Sequence, residues 1–505
     1  MRVLTSTRRP LSNVVLLVWL IAALISCGGN AASNADAPVI GGAATTAELA
    51  GEPASTAPAT AQAVRALTGA HTRLVWVQSS ENDPTASGTS LVLMGMDTDD
   101  GRGERAILED RGSYIKPLFV DRAQRVLFTR HGAAPHELAT FIVNWDGSGL
   151  RRLANGAALA VVEDSGDRRN WVYVGTDNSP GAPGDFGTVS RFSLDAPDAR
   201  ELVWNKTPVS GDTFQVSSDG RIAGGLFPWP HAGVADLPNG NLRLFGEGCW
   251  TALRDAGVGL FWYLDGSHRN VTMVDRSADR RWTVPLNQAP GFDNPEVYHP
   301  RWANHPRFVA LSGPYNQGGT NQVRTGGAQT EIYLGRFSTD YSRVEAWARA
   351  TQNAAGDSYP DVWIDREQSP HPAELARNSS AGAPAAVESR AGRAPRRIVV
   401  DARLTSAAAV PSPRSIAPYR NALVVNVFDV VTVVEGTYAE RRVKAAQWAI
   451  LDARVLDAAR RRTVGSTMRL TLEPYDAHSE LEGERLIEAS GGPGLPLFYD
   501  VASRP

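Results

Sequence analysis

The sequence has little cysteine, no excess of charge and none of the short motifs that mark common enzymes. Two cysteines in 505 residues do not make a disulfide framework. The formal net charge of -3 argues against a nucleic-acid partner. After the N-terminal region there is no Gly-x-Ser-x-Gly elbow, phosphate-cradling glycine loop or paired-cysteine zinc pattern. Composition and motifs therefore indicate no recognisable nucleophile, nucleotide or zinc chemistry.

Long apolar runs are also missing, and the one near the N-terminus is short. It covers about twelve residues, Val14 to Ile25, follows Arg8 and Arg9, and ends in Ser26-Cys27. A bilayer-spanning helix needs roughly 20 residues. A charged region, an apolar core and a small residue before the cut predict an export signal over residues 1–27.

The position of Cys27 directly after Ser26 resembles the bacterial lipoprotein box. The resemblance implies cleavage before Cys27 and its diacylation, and an uncleaved anchor helix is the alternative. Gly28 after the cysteine resembles the outer-membrane sorting default. We therefore expect an exported protein held to the cell envelope by lipid, at the outer membrane, its periplasmic face or the cell surface. Cys249 then has no disulfide partner and is expected to be a small buried residue.

Two segments have the composition of flexible connections. Residues 28–68 are rich in Ala, Thr, Gly, Pro and Ser and carry few large apolar groups, so they cannot offset their own ordering entropy. We predict a disordered tether there. Residues 366–396 are rich in Ser, Pro, Ala and Arg and predict a linker.

Between these connections, residues 69–365 predict a six-bladed β-propeller. Apolar runs of strand length alternate with Gly, Asp and Ser turns, as in Cys249 to Leu286, and the pattern recurs at a spacing of roughly 40 residues. The first unit, from Arg73, has only three strands. The isolated strand Tyr359 to Asp365 is predicted to complete it and close the ring, which places Trp363 near Trp76.

Three short motifs stand in these units: Val216 to Ile222, Pro300-Arg301-Trp302 and Pro360 to Ile364. They resemble the repeats of the TolB periplasmic family, also called WD40-like repeats. Other units depart from the motif, such as Arg254 to Gly257 in the fifth. The resemblance implies a propeller fold.

Residues 397–505 predict a second, small β-rich domain. Ala422 to Val434 alternates over a length typical of a strand that bends across a small barrel. The pattern resembles an OB-like barrel, and an immunoglobulin-like sandwich is the alternative. Ser479 to Ala489 is predicted as a helical piece. Trp448 and Phe498-Tyr499 are either core or a stacking surface.

The polar residues that point to a site fall in the fourth to sixth units. Propeller loops on one rim converge over the channel, so residues distant in sequence are expected to meet there. With a carboxylate such as Asp265, Glu296 or Glu331, neutral imidazoles suit a divalent metal. TolB-like oligogalacturonate lyases place a metal among histidines in this way. The alternatives are anionic-sugar binding through the arginines and ordinary structural hydrogen bonds. The candidate residues are His231, His268, Arg269, His299, Arg301 and His305.

Trp229 lies between two prolines, which fix the backbone and lower the entropy cost of presenting its ring to a partner. A loop folded over the blade edge is the alternative. Together these features predict a non-catalytic lipoprotein that binds an envelope protein or a glycan through its rim, without a cofactor. A metal-assisted polysaccharide lyase or hydrolase over the channel is the alternative.

Overall fold

The computed structural model describes residues 58–79, 90–132, 137–164, 168–178, 184–254, 259–275, 277, 280–315, 330–368, 397–489 and 494–504. The expected signal with Cys27, most of the expected tether and most of the expected linker lie outside these residues. Among the described helices, none combines the length and apolarity needed to cross a bilayer.

The end of the predicted tether is an ordered helix, α1 (Ala59–Thr68), so that part of the expectation is wrong. Ala61 and Val64 are spaced as one helix face and pack against Trp76 of the first blade. Gly69 ends the helix in the left-handed conformation, at φ 66°, and its N–H bonds the Arg65 carbonyl. Composition suggested disorder because the three buried residues, Ala61, Val64 and Thr68, are small.

The strands of the first three blades have these bounds. Blade 1 holds β1 (Thr72–Ser79), β2 (Leu91–Asp97) and β3 (Arg105–Gly112). Blade 2 holds β4 (Ile115–Val120), β5 (Arg125–His131), β6 (Leu138–Asn144) and β7 (Arg151–Asn155). Blade 3 holds β8 (Ala157–Glu163), β9 (Asn170–Asn178), β10 (Asp185–Ser193) and β11 (Ala196–Trp204), with the short β12 (Val209–Ser210) beside β10.

The remaining blades follow the same order. Blade 4 holds β13 (Gln215–Val216), β14 (Ile222–Leu226), β15 (His231–Asp236) and β16 (Leu242–Glu247). Blade 5 holds β17 (Cys249–Arg254), β18 (Leu260–Leu264), β19 (Asn270–Asp275) and β20 (Arg281–Pro285). Blade 6 holds β21 (Glu296–Trp302), β22 (Phe308–Tyr315), β23 (Glu331–Phe337) and β24 (Val344–Arg349), and β25 (Gly356–Ile364) follows it.

The ring is closed by β25, which pairs antiparallel with β1 in the order β25-β1-β2-β3. Trp363 is paired with Arg73, in the strand that contains Trp76. The predicted six blades and the predicted closure are therefore confirmed. Blades pack closely because inner strands carry small residues where a neighbour approaches: a Cβ on Gly224 of blade 4 would lie 2.8 Å from Leu253 Cβ of blade 5.

The C-terminal residues form a closed five-stranded barrel. Its elements are β26 (Ile398–Ser406), β27 (Ala422–Glu435), β28 (Arg442–Leu451), β29 (Arg454–Val455), α2 (Asp457–Arg460), β30 (Thr467–Pro474), β31 (Arg485–Glu488) and β32 (Leu497–Asp500). The 14-residue β27 reaches across the barrel and pairs with both β26 and β28. The ring continues through β32, which is parallel to β28, and β30 back to β26.

This closed ring confirms the barrel rather than the sandwich. The helix predicted over Ser479 to Ala489 is wrong: a 3-10 turn, Ser479–Leu481, is followed by β31, which adds to β27 in parallel. Trp448 is a core residue, since it is 2% exposed and its indole N–H bonds the Tyr499 hydroxyl at 2.9 Å.

Candidate functional site

The two faces of the propeller carry different turns. Because strands within a blade alternate in direction, the turns between second and third strands lie on one face with the connections between blades. We call this the upper face. Turns between first and second strands, and between third and fourth, lie on the lower face. Trp229, His268 and Arg269 belong to second–third turns, and His231 begins the third strand beside one, so all four are upper-face residues.

The barrel covers the upper face at blade 5. Gly266, in the β18–β19 turn, donates its N–H to the Glu482 carbonyl at 2.9 Å and accepts from the Leu486 N–H at 3.0 Å. A Cβ on Gly266 would lie 1.8 Å from the Glu484 carbonyl oxygen, so only glycine permits this approach. The Glu482 carboxylate also bonds Thr272 and Arg281 of blade 5.

A buried charge pair lies at the centre of this joint. Both Nη2 bonds of Arg485 run to Glu296, at 2.7 and 2.8 Å, and the Arg485 side chain is fully buried. Burial alone would raise the pKa of Glu296. The charge of Arg485 and the contact with His268 outweigh it and hold that pKa well below its usual range. Glu296 is therefore ionised, and it holds the Arg485 side chain of the barrel against blade 6.

His268 lies beside the same pair and is fully buried. Its Nδ1 is 3.3 Å from Glu296 Oε2, and its Nε2 is 3.0 Å from the Tyr419 hydroxyl of the barrel. Burial and the charge of Arg485 lower the pKa of His268, so the imidazole is neutral at pH 7. The predicted rim histidine is thus a structural group between the two domains. The Tyr419 hydroxyl also donates to Cys249 Sγ at 3.6 Å, and Cys249 is a small buried residue, as expected.

Trp229 also contacts the barrel rather than projecting from the face. Its ring packs edge-on against that of Tyr419, with 5.2 Å between the ring centroids, and lies in the apolar cluster around Ile416. His231 is solvent-exposed, and its Nδ1 lies 3.5 Å from Glu247. The Trp229 ring therefore binds a domain of its own chain, the barrel.

His299 belongs to a different group, which closes the central channel. Residues at the same point of the first strands in four blades have positive φ: Lys116 at 47°, Trp250 at 44°, His299 at 52° and Tyr359 at 55°. Each stands at a break in the strand register. The His299 ring lies 4.4 Å from that of Trp250 and 4.1 Å from that of Tyr359, so three blades fill one side of the channel.

Lys116 fills the other side, and the sequence analysis missed it. Its Nζ donates to three carbonyls of blade 3 and of the connection to blade 4: Leu159 at 2.6 Å, Gly211 at 2.7 Å and Phe214 at 3.0 Å. Burial, and then the charge of Arg301, lower the pKa of Lys116 well below its usual range. The available signal was a lysine inside an apolar strand, Ile115-Lys116-Pro117.

The remaining candidates have separate partners. Arg301 Nε is 3.4 Å from Asp361, Arg269 bonds the carbonyls of Asn294 and Ser267, and Glu331 bonds Arg349. Asp265 is half-buried and accepts from Ser267 and Asn270 in its own turn. Burial and nearby arginines lower the pKa of His305 to about 4. Across the described ranges, no three His, Cys, Asp or Glu residues are grouped as metal ligands.

The lower face, away from the barrel, has a groove between blades 4 and 5. Its volume is about 390 Å³. The floor is apolar, with Phe261 and Phe245 in contact at 5.4 Å and Val234 beside them. Ser217, Asp236, Asn241 and Arg243 border it. An apolar floor with a polar border is the usual composition of a binding site.

These strands define the class: a six-bladed β-propeller with a closed five-stranded barrel packed on its upper face at blades 4 to 6. TolB from Acinetobacter baumannii is similar, with 13% identity, 60% of this chain and 70% of that chain covered, and a TM-score of 0.39. So is a nidogen/laminin complex, with 10% identity, coverage of 58% and 98%, and a TM-score of 0.39. A prolyl endopeptidase has 14% identity, coverage of 57% and 44%, and a TM-score of 0.32. No family model and no curated protein matches the sequence.

Proposed function

We propose that this protein is an exported, lipid-anchored envelope protein that performs no chemistry and binds a protein partner through the lower face of its propeller. One observation carries the proposal. Trp229 and His268 of the upper face contact the barrel and His299 packs in the channel, whereas the groove between blades 4 and 5 is a concave surface with an apolar floor.

The groove favours a protein partner over a glycan. Its floor is formed by aromatic and aliphatic side chains, which suit an apolar side chain of a partner. A more polar hollow lies at blade 2, lined by Gln124, Asn144 and Trp145. Arg73 and Arg105 lie 5.1 and 5.0 Å from the Trp145 ring, so that ring is not presented to a sugar. The metal-assisted enzyme gains no support, because His268 and His299 have other buried partners.

Photo-crosslinking tests the groove. With a photoreactive phenylalanine analogue in place of Phe245, we expect one envelope protein to be cross-linked in cells and identified by mass spectrometry. Val234→Arg should reduce that product about tenfold, because it places a charge on the apolar floor. The same analogue at Leu202, which is 50% exposed on blade 3, is the matched control. Equal products from both positions, or no effect of Val234→Arg, would contradict the proposal.

Cys27→Ser tests the anchor independently. Because a serine cannot receive the diacylglycerol thioether, we expect loss of lipid labelling and either release from membranes or retention of the unprocessed signal. Membrane fractionation and intact-mass measurement check both results. Membrane retention with normal signal cleavage would rule out lipid attachment at this residue and leave the groove hypothesis standing.

A further inference from the structure

The strand that closes the ring carries a buried carboxylate. Asp357 of β25 is fully buried, and its Oδ1 accepts from the Trp76 indole at 2.9 Å and from the Gln78 amide at 3.1 Å, both in β1. Its Oδ2 accepts from the Asn353 amide at 2.8 Å. Asp357 therefore links the last strand of the propeller to the first through side chains, in addition to the backbone ladder.

The charges around this carboxylate are mostly negative. Glu331, at the start of β23 and 1% exposed, accepts from the Asn353 N–H at 3.0 Å, and Glu104, before β3, accepts from the Asn353 amide at 2.8 Å. Arg349 of β24 is a cation in this region, and its guanidinium donates to Glu331 at 2.7 Å. The described groups that donate to Asp357 are all neutral. Among the residues that the structure describes, an ionised Asp357 thus lies near a second buried carboxylate, and no cationic side chain donates to it.

We propose that Asp357 makes the ring closure of the propeller sensitive to pH: the junction of β25 with β1 is tightest when this carboxyl is protonated and opens more often when it is ionised. Burial raises the pKa of Asp357 to about 7, and the charge of Glu331 acts in the same direction against the hydrogen bonds that favour the anion. The protonation change of Asp357 therefore falls between about pH 5 and about pH 8, the range in which physiological pH switches operate.

The direction follows from proton linkage. An exposed aspartate has a pKa of about 3.9. Between that value and about 7 the closed ring binds more protons than the opened one, so closure weakens as pH rises and levels off above the folded pKa. For a single carboxyl that becomes exposed on opening, the local opening constant rises about tenfold between about pH 6 and about pH 8.

Hydrogen exchange measures this opening in the full chain. We expect protection factors in β1 and β25 to fall about tenfold between about pH 6 and about pH 8, relative to blade 4 as internal reference. Asp357→Asn should remove this dependence, whatever its effect on overall stability. Glu331→Gln should move the transition to lower pH, because it removes the repelling charge.

Asp361→Asn is the matched control, since Asp361 lies in the same strand but pairs with Arg301. It should keep the full pH dependence. A change of less than about twofold in the unsubstituted protein, or a tenfold change that persists in Asp357→Asn, would overturn the proposal. If Asp357→Asn does not fold, Glu331→Gln provides the test: a transition at lower pH supports the proposal, and an unchanged transition overturns it.

Discussion

Arg485→Gln should lower the free energy of unfolding by about 3–5 kcal/mol, which is the usual cost of leaving one member of a buried ion pair alone. Glu296 would lose the two bonds of 2.7 and 2.8 Å that compensate its charge. His268 is fully buried, and this burial still opposes its protonation, so it does not supply the lost positive charge. Urea unfolding followed by circular dichroism gives the loss, and limited proteolysis reports whether the barrel leaves the upper face.

The matched control is the double variant Arg485→Met with Glu296→Gln. It removes both charges, so no uncompensated carboxylate stays buried, and we expect it to recover most of the lost stability. A loss below about 1 kcal/mol for Arg485→Gln, with unchanged protease resistance, would show that the pair does not hold the barrel.

The blades could be predicted from sequence because each is a local pattern. Apolar runs bounded by Gly, Asp and Ser give strands in chain order, and consecutive strands pair with one another. The ring closure could also be predicted, since the first unit lacked a strand and Tyr359 to Asp365 was left over. α1 was missed because its buried residues, Ala61, Val64 and Thr68, are too small to stand out in a segment rich in alanine and threonine.

The candidate site could not be predicted because its contacts join distant parts of the chain. Arg485 lies 189 residues from Glu296, and Tyr419 lies 151 residues from His268. No periodicity relates residues at such separations. A propeller rim with histidines was therefore interpreted as a surface for ligands, whereas the barrel of the same chain occupies it.

The central channel of the propeller is filled from two sides. Propellers close their ring by pairing strands, but the inner strands still face a common axis and must fill it. Here the left-handed positions turn Trp250, His299 and Tyr359 into the axis from one side. From blade 2, Lys116 reaches across the channel to carbonyls of blade 3 and of the connection to blade 4.

Lys116→Met should therefore destabilise the propeller by about 3–5 kcal/mol. Methionine preserves the length and apolar body of the lysine but donates no hydrogen bond, so three carbonyls of the channel wall would stay buried without their donor, at about 1–3 kcal/mol each. Lys206→Met is the matched control: Lys206 Nζ also bonds a carbonyl, that of Gly240 at 2.7 Å, but on the exposed surface. We expect that variant to stay within about 0.5 kcal/mol of the unsubstituted protein. Equal urea midpoints for the two variants would mean that water or a shifted backbone satisfies the channel carbonyls, and that Lys116 does not join the blades.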